Sequence, residues 1–339
     1  MWATSDDVAR MAGVSTATVS RALRGVDGVN PRTRDRVLAA AHHLGYVSSP
    51  AASRLAGGRT ATIAVVVPFI TRWFFSEVIS GAEEVLRGHG MDLLLYNLGH
   101  VEGRERYFSG EALQQRADAV LVLCLPLSEV ELEALGGARV PVVLVGSDIE
   151  GCPSVRIDDV AGGRTAVQHL VNLGHKRIAL ISGTPGDPMG FTSQFDRRRG
   201  YRETLRSAGL EEDPSLDVPG DFTVEGGEMA MARLLAHPRP PTAVFAESDE
   251  MAFGALRTLQ RAGLSAPQDI SLIGFDNHGL ADLMNLTTIA QPVREQGARA
   301  AQLLLDVLGG HSGEYRVTLP TRLIVRGTTG PAGSGRLAS

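Results

Sequence analysis

Two kinds of hydrophobic pattern divide the chain, and one gives way to the other near residue 62. Before that point, apolar residues recur three or four positions apart within short segments, which is the spacing of amphipathic helices. After it, short runs rich in β-branched residues alternate with longer amphipathic segments, as in parallel strands connected by helices. The sequence therefore predicts a small helical head, residues 4–46, and a larger α/β core.

The first predicted helix begins at Thr4 or Ser5, either of which can cap it, because a side-chain oxygen there accepts a hydrogen bond from a free backbone N–H. Val8 and Met11 are predicted to face inward, and Gly13 ends the helix. A second helix follows at once. Two helices joined by a glycine-containing turn this short are typical of a helix-turn-helix.

The second predicted helix, capped by Ser15, has two chemically different sides when its residues are projected at about 100° each. The inward side is apolar, whereas the outward side has small, hydroxyl and guanidinium side chains. The inward residues are Val19, Ala22 and Leu23, and the outward ones are Thr16, Ala17, Ser20, Arg21 and Arg24. Such a surface fits the major groove of DNA, where arginine pairs with guanine and hydroxyls contact bases or phosphates. An ordinary solvated helix face is the alternative interpretation.

A third helix is predicted to complete the head. Asn30 caps it and Pro31 opens it, since proline suits the first helical position. Its inward residues are Val37, Ala41 and Leu44. Three further arginines either reach phosphates or are simply solvated, and these are Arg32, Arg34 and Arg36.

The charge is unevenly distributed between the head and the core. Residues 1–60 hold eight arginines and four aspartates, a net charge of +4, so the remainder carries −9 of the total of −5. A basic module on an acidic body indicates binding of a polyanion by the first part alone. A charge imbalance of this size is also compatible with a merely solvated surface.

The head resembles a known family. The string DVARMAGVSTATVSRAL, followed by VNPRTRDRVLAAAHHLGYV, is similar to the DNA-binding head of the lactose/galactose repressor family, and the match covers residues 4–60. The resemblance implies that Thr16 and Ala17 read operator bases, and that Ser20 and Arg21 contact bases and phosphates. The sequence departs from the family at Arg24, usually asparagine, and at Ser5, usually apolar. The candidate DNA-binding residues are Thr4, Ser15, Thr16, Ala17, Thr18, Ser20, Arg21, Arg24, Asn30 and Leu55.

A hinge is predicted between head and core, at residues 47–59. Residues 50–56 have helix-forming composition but are too few to be helical alone. A passive linker is one interpretation. The resemblance implies a hinge helix that folds on DNA, pairs with its dimer mate and wedges Leu55 into the minor groove, where unstacking is offset by contacts to bent DNA. Ser48-Ser49-Pro50 replaces the Pro-Asn pair common in the family.

The core pattern predicts strands and helices in strict alternation. The predicted strands are Ile63–Val67, Leu93–Tyr96, Ala119–Leu123, Val142–Val145, Ile178–Ile181, Ala243–Ala246 and Leu272–Gly274, and the predicted helices cover 75–88, 103–116, 128–137, 161–173, 197–208, 225–236 and 250–262. Two such series predict two doubly wound parallel-sheet lobes with a cleft between them. Lobe one is predicted at about 60–159 and 292–319, lobe two at about 160–291 and 320–329, and a disordered tail at 330–339.

Catalytic, metal and membrane signatures are missing from the sequence. It contains no Gly-x-Gly-x-x-Gly after a strand, no phosphate-binding loop, no Gly-x-Ser-x-Gly and no His-Glu-x-x-His. Cys124 and Cys152 fit neither a disulfide framework nor a metal site, which favours reduced thiols in the cytoplasm. No signal segment or membrane span is evident. We therefore expect no cofactor, no metal and no enzymatic activity.

The core also resembles the effector-binding core of the same family, which is similar to periplasmic sugar-binding proteins. The matching strings are VVVPFITRWFF, LGHKRIALISG, RRRGY, VFAESDEMAFGAL, ISLIGFDN, LTTIAQPV and VRGTT, and with the head the resemblance covers about residues 4–329. Carried over by position, it implies an effector site of Arg72, Trp73, Phe74, Ser147, Arg197, Phe222, Asp249 and Asp276. Carboxylates accept hydroxyl hydrogen bonds, a guanidinium donates two, and aromatic rings cover an apolar face.

Simpler interpretations remain open for some of these residues. Asp249 and Asp276 can cap the helices after their strands, and Phe222 can belong to the core. The sequence also departs from the family at Arg72-Trp73, in place of Asn-Pro, and at Gly146-Ser147, in place of an Asp-Arg-like pair. The extra cation and the lost acid favour a ligand with partial negative charge.

The sequence thus predicts a ligand-responsive transcriptional regulator, a repressor that binds a near-palindromic operator as a homodimer or a higher oligomer built from it. A sugar or sugar derivative in the cleft is the expected effector, and a purine or nucleoside is the alternative. A transport-type sugar-binding protein is disfavoured by the basic head and the missing signal segment, and a sugar-active enzyme would need turnover in the cleft. The sign of the ligand's effect on DNA binding stays open.

Overall fold

The computed structural model describes residues 3–23, 28–46, 60–99, 104, 108, 113, 116–137, 140–184, 186, 189–311 and 315–333. The chain divides into two compact units. One comprises Met1–Ala61 with Gln115–Asp118, and the other comprises Thr62–Gln114 with Ala119–Ser339. The predicted hinge, residues 47–59, lies outside the described residues.

The head consists of three helices, as predicted: α1 is Ser5–Ala12, α2 is Thr16–Leu23 and α3 is Pro31–His43. Each begins at a capping side chain. Thr4 and Asp7 form a reciprocal capping box, in which the Asp7 N–H donates to Thr4 Oγ1 (3.3 Å) and the Thr4 N–H donates to Asp7 Oδ2 (3.0 Å). Ser15 Oγ accepts from the Thr18 N–H (3.3 Å) and Asn30 Oδ1 accepts from the Arg32 N–H (3.0 Å). The local polar signals therefore fixed all three starts.

A small apolar core holds the three helices together. Val8, Val19 and Val37 are at most 1% exposed, and alanines pack around them. The prediction that Met11 faces inward is wrong, because its side chain is 49% exposed. Helix α1 instead directs Val8, Ala9 and Ala12 inward. These small residues allow the helices to approach closely, and Met11 falls just beyond the edge of that face.

Lobe one is built on a parallel sheet of six strands, counted over the described residues. The strands are β1 (Thr62–Val67), β2 (Asp92–Asn97), β3 (Ala119–Leu123), β4 (Val142–Val145), β5 (Ser154–Ile157) and β11 (Arg316–Leu319), in the order β11-β5-β4-β3-β1-β2. Helices α4 (Trp73–Gly88), α5 (Glu129–Gly137) and α10 (Val293–Leu308) belong to this lobe. The helix predicted at 103–116 lies mostly outside the described residues.

Lobe two repeats this architecture. Its strands are β6 (Ile178–Ser182), β7 (Asp217–Pro219), β8 (Ala243–Ala246), β9 (Ser271–Asp276), β10 (Thr287–Ala290) and β12 (Arg322–Ile324), in the order β12-β10-β9-β8-β6-β7, and only β12 runs antiparallel to its neighbour among the described strands. Its helices are α6 (Asp159–Asn172), α7 (Ser193–Ser207), α8 (Val224–Leu235) and α9 (Asp249–Arg261). Two buried apolar clusters cover the two faces of the sheet.

The fold class is confirmed: a helical head precedes two doubly wound α/β lobes. The chain passes between the lobes at three places, after β5, after β10 and after β11. Because β12 enters lobe two directly from the end of β11, it pairs antiparallel with β10. Ligand sites in such sheets lie at the carboxyl ends of the parallel strands.

Helices α4 and α10 pack backbone to backbone in lobe one. A Cβ atom at Gly81 would overlap the carbonyl oxygen of Arg294, and one at Gly297 would overlap that of Val78. Only glycine permits so close an approach at these two positions. The pairing fixes the start of α4, and hence Trp73, relative to the crossing segment that precedes α10.

The described chain remains attached to lobe two beyond residue 330, where the tail was predicted to begin. The Gly330 carbonyl oxygen lies 3.0 Å from His175 Nε2, and the Ala332 N–H donates to the Leu173 carbonyl (2.9 Å). Residues 334–339 lie outside the described chain. Among the described residues, no helix combines the length and the apolar character needed to span a membrane.

Candidate functional site

The outward side of α2 is open to solvent. Thr16, Ala17 and Arg21 are exposed, and Thr18 and Ser20 are partly exposed. Three other predicted DNA contacts already act as caps, since Thr4, Ser15 and Asn30 accept backbone hydrogen bonds at helix starts. Arg24 and Leu55 lie outside the described residues. The described head therefore presents one short helix face of small, hydroxyl and guanidinium groups.

A cleft between the two lobes has an empty volume of about 620 Å³, within the range of small-molecule sites. Five predicted effector residues line it, and these are Arg72, Phe74, Arg197, Phe222 and Asp276. The lining further includes Phe75, Cys124, Gly146, Ile157, Asp159, Phe191, Ser193, Ser248, Glu250, Gln291 and Gln296. Aromatic rings and polar groups are therefore mixed in one concave surface.

Arg197, on α7, is the most constrained charge in the cleft. It is 6% exposed, and its guanidinium stacks over the Phe275 ring, 3.7 Å from the ring centre. Its Nε donates to Asp159 Oδ1 (2.8 Å), and its Nη1 donates to the Glu247 carbonyl oxygen. Burial alone would lower the pKa of Arg197, but the neighbouring carboxylates of Asp159 and Asp276 raise it. The guanidinium is therefore a fixed cation.

Asp276 ends β9 and connects this cation to lobe one. Its backbone lies at φ 121°, a conformation that non-glycine residues rarely adopt. Its Oδ1 lies 3.8 Å from Arg197 Nη1 and accepts from Gln291 Nε2 (2.6 Å). The Gln291 side-chain oxygen in turn accepts from Gln296 Nε2 (2.9 Å), and Gln296 lies on α10 of lobe one. A chain of buried polar side chains thus crosses from one lobe to the other.

Three predicted effector residues are absent from the lining as the structure describes it. Asp249 is fully buried, and its carboxylate accepts from Thr288 Oγ1 (2.7 Å) and the His278 N–H (2.8 Å). Ser147 Oγ donates to the Leu125 carbonyl (3.2 Å). The Trp73 ring lies on the His278 ring, and Trp73 is not among the residues that line the cleft. The expectation that these three meet a ligand is not supported by their positions.

The helix-cap interpretation of Asp249 is also wrong. Helix α9 is capped by Ser248, whose Oγ accepts from the Met251 N–H (3.3 Å). Burial raises the pKa of Asp249, and the charge of Asp276 adds to the shift. Asp249 therefore ties the loop after β9 to α9.

Several cleft residues were not predicted from the sequence, because the strands that precede them were not predicted. Asp159 follows β5 and Gln291 follows β10, and neither strand was predicted. Both strands include polar residues, SVRI in β5 and TTIA in β10, so neither gives the clear hydrophobic run of the equally short β4 and β8. The usable signal was a polar residue directly after a β-branched run, as in Ile157-Asp158-Asp159.

Glu247 and Gln194 are two buried polar side chains with unpaired atoms. Glu247 is fully buried, its Oε2 accepts from the Gly183 N–H (2.7 Å), and burial raises its pKa to about 8. Its other oxygen and the Gln194 amide have no hydrogen-bond partner within the described part of the chain. A neutral carboxyl group is therefore the expected form of Glu247 at neutral pH.

Both parts of this architecture match known families. Residues 4–49 match bacterial regulatory proteins of the lacI family, and residues 167–329 match a periplasmic binding protein-like domain. The HTH-type transcriptional repressor CytR of Escherichia coli strain K12 is 40% identical over 334 residues, 96% of either chain. Catabolite control protein A of Priestia megaterium is 35% identical over 328 residues, covering 95% of this chain and 98% of that protein.

The chain belongs to the lacI family of bacterial regulatory proteins. It is a DNA-binding transcriptional regulator of that family, and the resemblance noted from the sequence is confirmed.

Solved lacI-family structures have the same fold over nearly the whole chain. The lac repressor dimer bound to operator and the anti-inducer ONPF superposes with a TM-score of 0.84 at 28% identity, over 97% of this chain and 100% of that one. The complex of the regulator CelR with cellobiose gives 0.71 at 36% identity, over 96% and 99%.

The cleft of this lacI-family regulator has more acidic than basic groups in its lining. Arg72 and Arg197 face the carboxyl groups of Asp159, Glu250 and Asp276. Burial raises the pKa of all three carboxyl groups. The charge of Arg197 opposes this shift at Asp159 and Asp276, and the charge of Arg72 opposes it at Glu250. The lining thus offers acceptors, and the one deeply buried cation is already paired.

Proposed function

We propose that the protein is a repressor that binds a near-palindromic operator as a homodimer and responds to a small polar molecule in the cleft between its lobes. The observation that carries this proposal is the polar chain from Arg197 through Asp276 and Gln291 to Gln296. A ligand that hydrogen-bonds to Asp276 competes with the Asp276–Gln291 contact, which joins the lobes. It therefore changes the free-energy difference between the open and the closed form of the core. Ligand and DNA affinities are thereby linked.

The DNA-binding part of the proposal uses the outward side of α2. Thr16 and Ala17 are small enough to let the helix approach base edges, and Ser20 and Arg21 supply the polar contacts. Arg24 and the hinge residue Leu55 are proposed to extend this surface. We propose the functional division as head 1–46, hinge 47–59 and core 60–329. The lac repressor dimer–operator complex, which has the same fold, supports this arrangement.

For the ligand, the lining favours a neutral molecule rich in hydroxyl or N–H donors. The acidic balance of the lining opposes an anion, so the partial negative charge expected from Arg72 is not supported. A sugar fits, because carboxylates accept from its hydroxyls while Phe74, Phe191 and Phe222 cover an apolar face. A solved relative binds cellobiose. A purine or nucleoside is the alternative, since the same rings can stack on a planar base.

We also propose that the protein has no enzymatic activity, needs no cofactor and acts in the cytoplasm. The relatives over its whole length are transcriptional regulators. Two acidic groups of the cleft are engaged in structural hydrogen bonds, Asp159 to Arg197 and Asp276 to Gln291, which suits binding more than turnover.

A thermal-shift screen of the full chain tests the ligand proposal. The panel contains ribose, cellobiose, galactose, galactose 6-phosphate, adenosine and cytidine, each at millimolar concentration. A binding compound raises the unfolding temperature because it stabilises the folded state. We expect a sugar to give the largest shift. Asp276→Ala should reduce that shift, whereas Asp282→Ala, which changes an exposed residue of lobe two, is the matched control. A shift confined to nucleosides would favour the alternative, and a shift from charged sugar phosphates alone would contradict a neutral ligand.

A further inference from the structure

Two consecutive residues of lobe one cross the mouth of the cleft. Trp73 begins α4, and its ring lies on the ring of His278 in lobe two, with the ring centres 4.6 Å apart and the planes inclined at 40°. Arg72, the residue before it, donates from Nη2 to the Asp221 carbonyl oxygen of lobe two (3.2 Å). Both contacts join the two lobes directly.

The lobe-two side of the aromatic contact is held rigidly. The His278 N–H donates to the buried Asp249 carboxylate (2.8 Å), and His278 Nδ1 accepts from the Leu280 N–H (2.9 Å). Phe253 of α9 packs edge-on against the same ring, with centres 5.2 Å apart. Burial lowers the pKa of His278, although Glu77 opposes the shift. The ring is therefore neutral and fixed in orientation.

The lobe-one side is equally constrained. Helix α4 contacts the backbone of α10 through Gly81 and Gly297, and this packing restrains the backbone of the helix that Trp73 begins. The Arg72 guanidinium lies over the Phe69 ring, 4.4 Å from its centre. The Trp73–His278 ring pair and the Arg72–Asp221 hydrogen bond thus join the two lobes, beside the contact of Phe75 with Phe191 (ring centres 6.2 Å apart).

We propose that Trp73 and His278 are positioning residues that hold the lobes together across the mouth of the cleft before a ligand binds. This inference rests on the proposed function in one respect, namely that the cleft is the effector site. Aromatic pairs of this geometry shift an equilibrium about three- to tenfold. The pair therefore raises the closed population of the ligand-free protein, and a ligand enters only after the rings separate.

The two free cysteines provide a direct test on the ligand-free full chain. Cys124 lines the cleft, whereas Cys152 lies in the turn before β5, away from the cleft lining. Burial raises the pKa of the Cys124 thiol to about 12, so this thiol reacts slowly while the lobes are closed. The rate of N-ethylmaleimide labelling is measured at each cysteine by peptide mass spectrometry. Since the lobes must open to admit the reagent to Cys124, Trp73→Ala and His278→Ala should label this thiol about three- to tenfold faster, with Cys152 unchanged.

Two further variants sharpen the test. Trp73→Phe keeps an aromatic ring and should restore most of the protection of Cys124. Phe195→Ala removes an exposed aromatic ring of lobe two and should change neither rate. An unchanged Cys124 rate in both alanine variants would overturn the proposal. So would a parallel increase at Cys152, which indicates general loosening, or a Trp73→Phe rate equal to that of Trp73→Ala. Neither ligand nor DNA enters the assay, so its failure is distinct from failure of the proposed function.

Discussion

Arg21 and Arg197 have the same side chain but lie in opposite environments. Arg21 stands exposed on the outer side of α2, where water solvates its charge until a phosphate or base edge replaces that water. Arg197 is buried between Asp159, Asp276 and the Glu247 carbonyl. A buried charge must be paired, because its desolvation is expensive. The comparison suggests that the head keeps its charge free for a partner, while the core uses its charge to hold two lobes around a cavity.

The largest expected effect separates these two arginines by stability. Arg197→Leu leaves the Asp159 carboxylate and the Glu247 carbonyl without this donor and removes the cation beside Asp276, so we expect a loss of about 3–5 kcal/mol in the free energy of unfolding of the core. Arg199→Leu is the matched control on the same helix, since Arg199 is 59% exposed and pairs only with Asp196, and should cost less than about 1 kcal/mol. Urea unfolding measures both. Equal values would mean that the buried pairing contributes no stability.

The head core gives the next largest effect. Val8 is fully buried and Met11 is half exposed. Val8→Ala should therefore lower the head's unfolding free energy by about 2 kcal/mol, through lost burial and the cavity left behind. Met11→Ala should change it by less than about 0.5 kcal/mol. Thermal unfolding, monitored by hydrogen exchange of the head amides, measures the difference. A larger effect of Met11→Ala than of Val8→Ala would show that Met11 belongs to the core of the head.

Removal of Asp276 should separate ligand binding from DNA binding. In Asp276→Ala, ligand donors lose their acceptor, so calorimetry should find binding of the screened compound weakened by about 1–3 kcal/mol or more. Affinity for operator DNA should persist, but without a response to that compound. The exposed Asp282 offers the control substitution Asp282→Ala. If Asp276→Ala and Arg197→Ala both kept the full response, the effector would bind elsewhere.

The smallest effect concerns pH. The pKa of Glu247 is about 8 in the folded protein because the group is buried, against an ordinary value of about 4.3. The folded state thus holds a proton that the unfolded state releases, and stability decreases as the pH rises through this interval. Glu247→Gln removes this pH dependence, because glutamine does not titrate. Between pH 5 and pH 8, the free energy of unfolding of the variant should therefore rise by about 1 kcal/mol or more relative to that of wild type. The exposed Glu133→Gln should show no such trend, and the same slope in both would contradict a buried neutral Glu247.

The sequence predicted features that depend on near neighbours better than those that depend on distant ones. The caps at Thr4, Ser15 and Asn30 act within three residues, and all three helix starts were predicted. Asp249 and Trp73 carry the right chemistry for a ligand, but their partners Thr288 and His278 come from remote segments. Their side-chain directions are set by packing, which local patterns do not encode.

The missed elements follow the same division. Strands β5, β7, β10, β11 and β12 have three or four residues each and include polar ones, so they lack the continuous apolar run that identified the similarly short β4 and β8. They form where neighbouring strands offer free hydrogen-bonding groups. The missed cleft residues Asp159 and Gln291 follow two of these strands. Arg197 and Asp276 were predicted because the family resemblance, and not the hydrophobic pattern, identified them.

The central claim is that the outward side of α2 binds DNA, and operator affinity of matched arginine variants tests it most directly. An operator selected from random duplexes by the wild-type protein is used at two salt concentrations. Arg21→Ala should weaken binding by about 1–3 kcal/mol and reduce the salt dependence if a phosphate contact is lost. Arg10→Ala, an exposed residue of α1 paired with Asp7, should bind almost as wild type does. Equal affinity of Arg21→Ala and wild type, or full affinity after deletion of residues 1–46, would contradict the account.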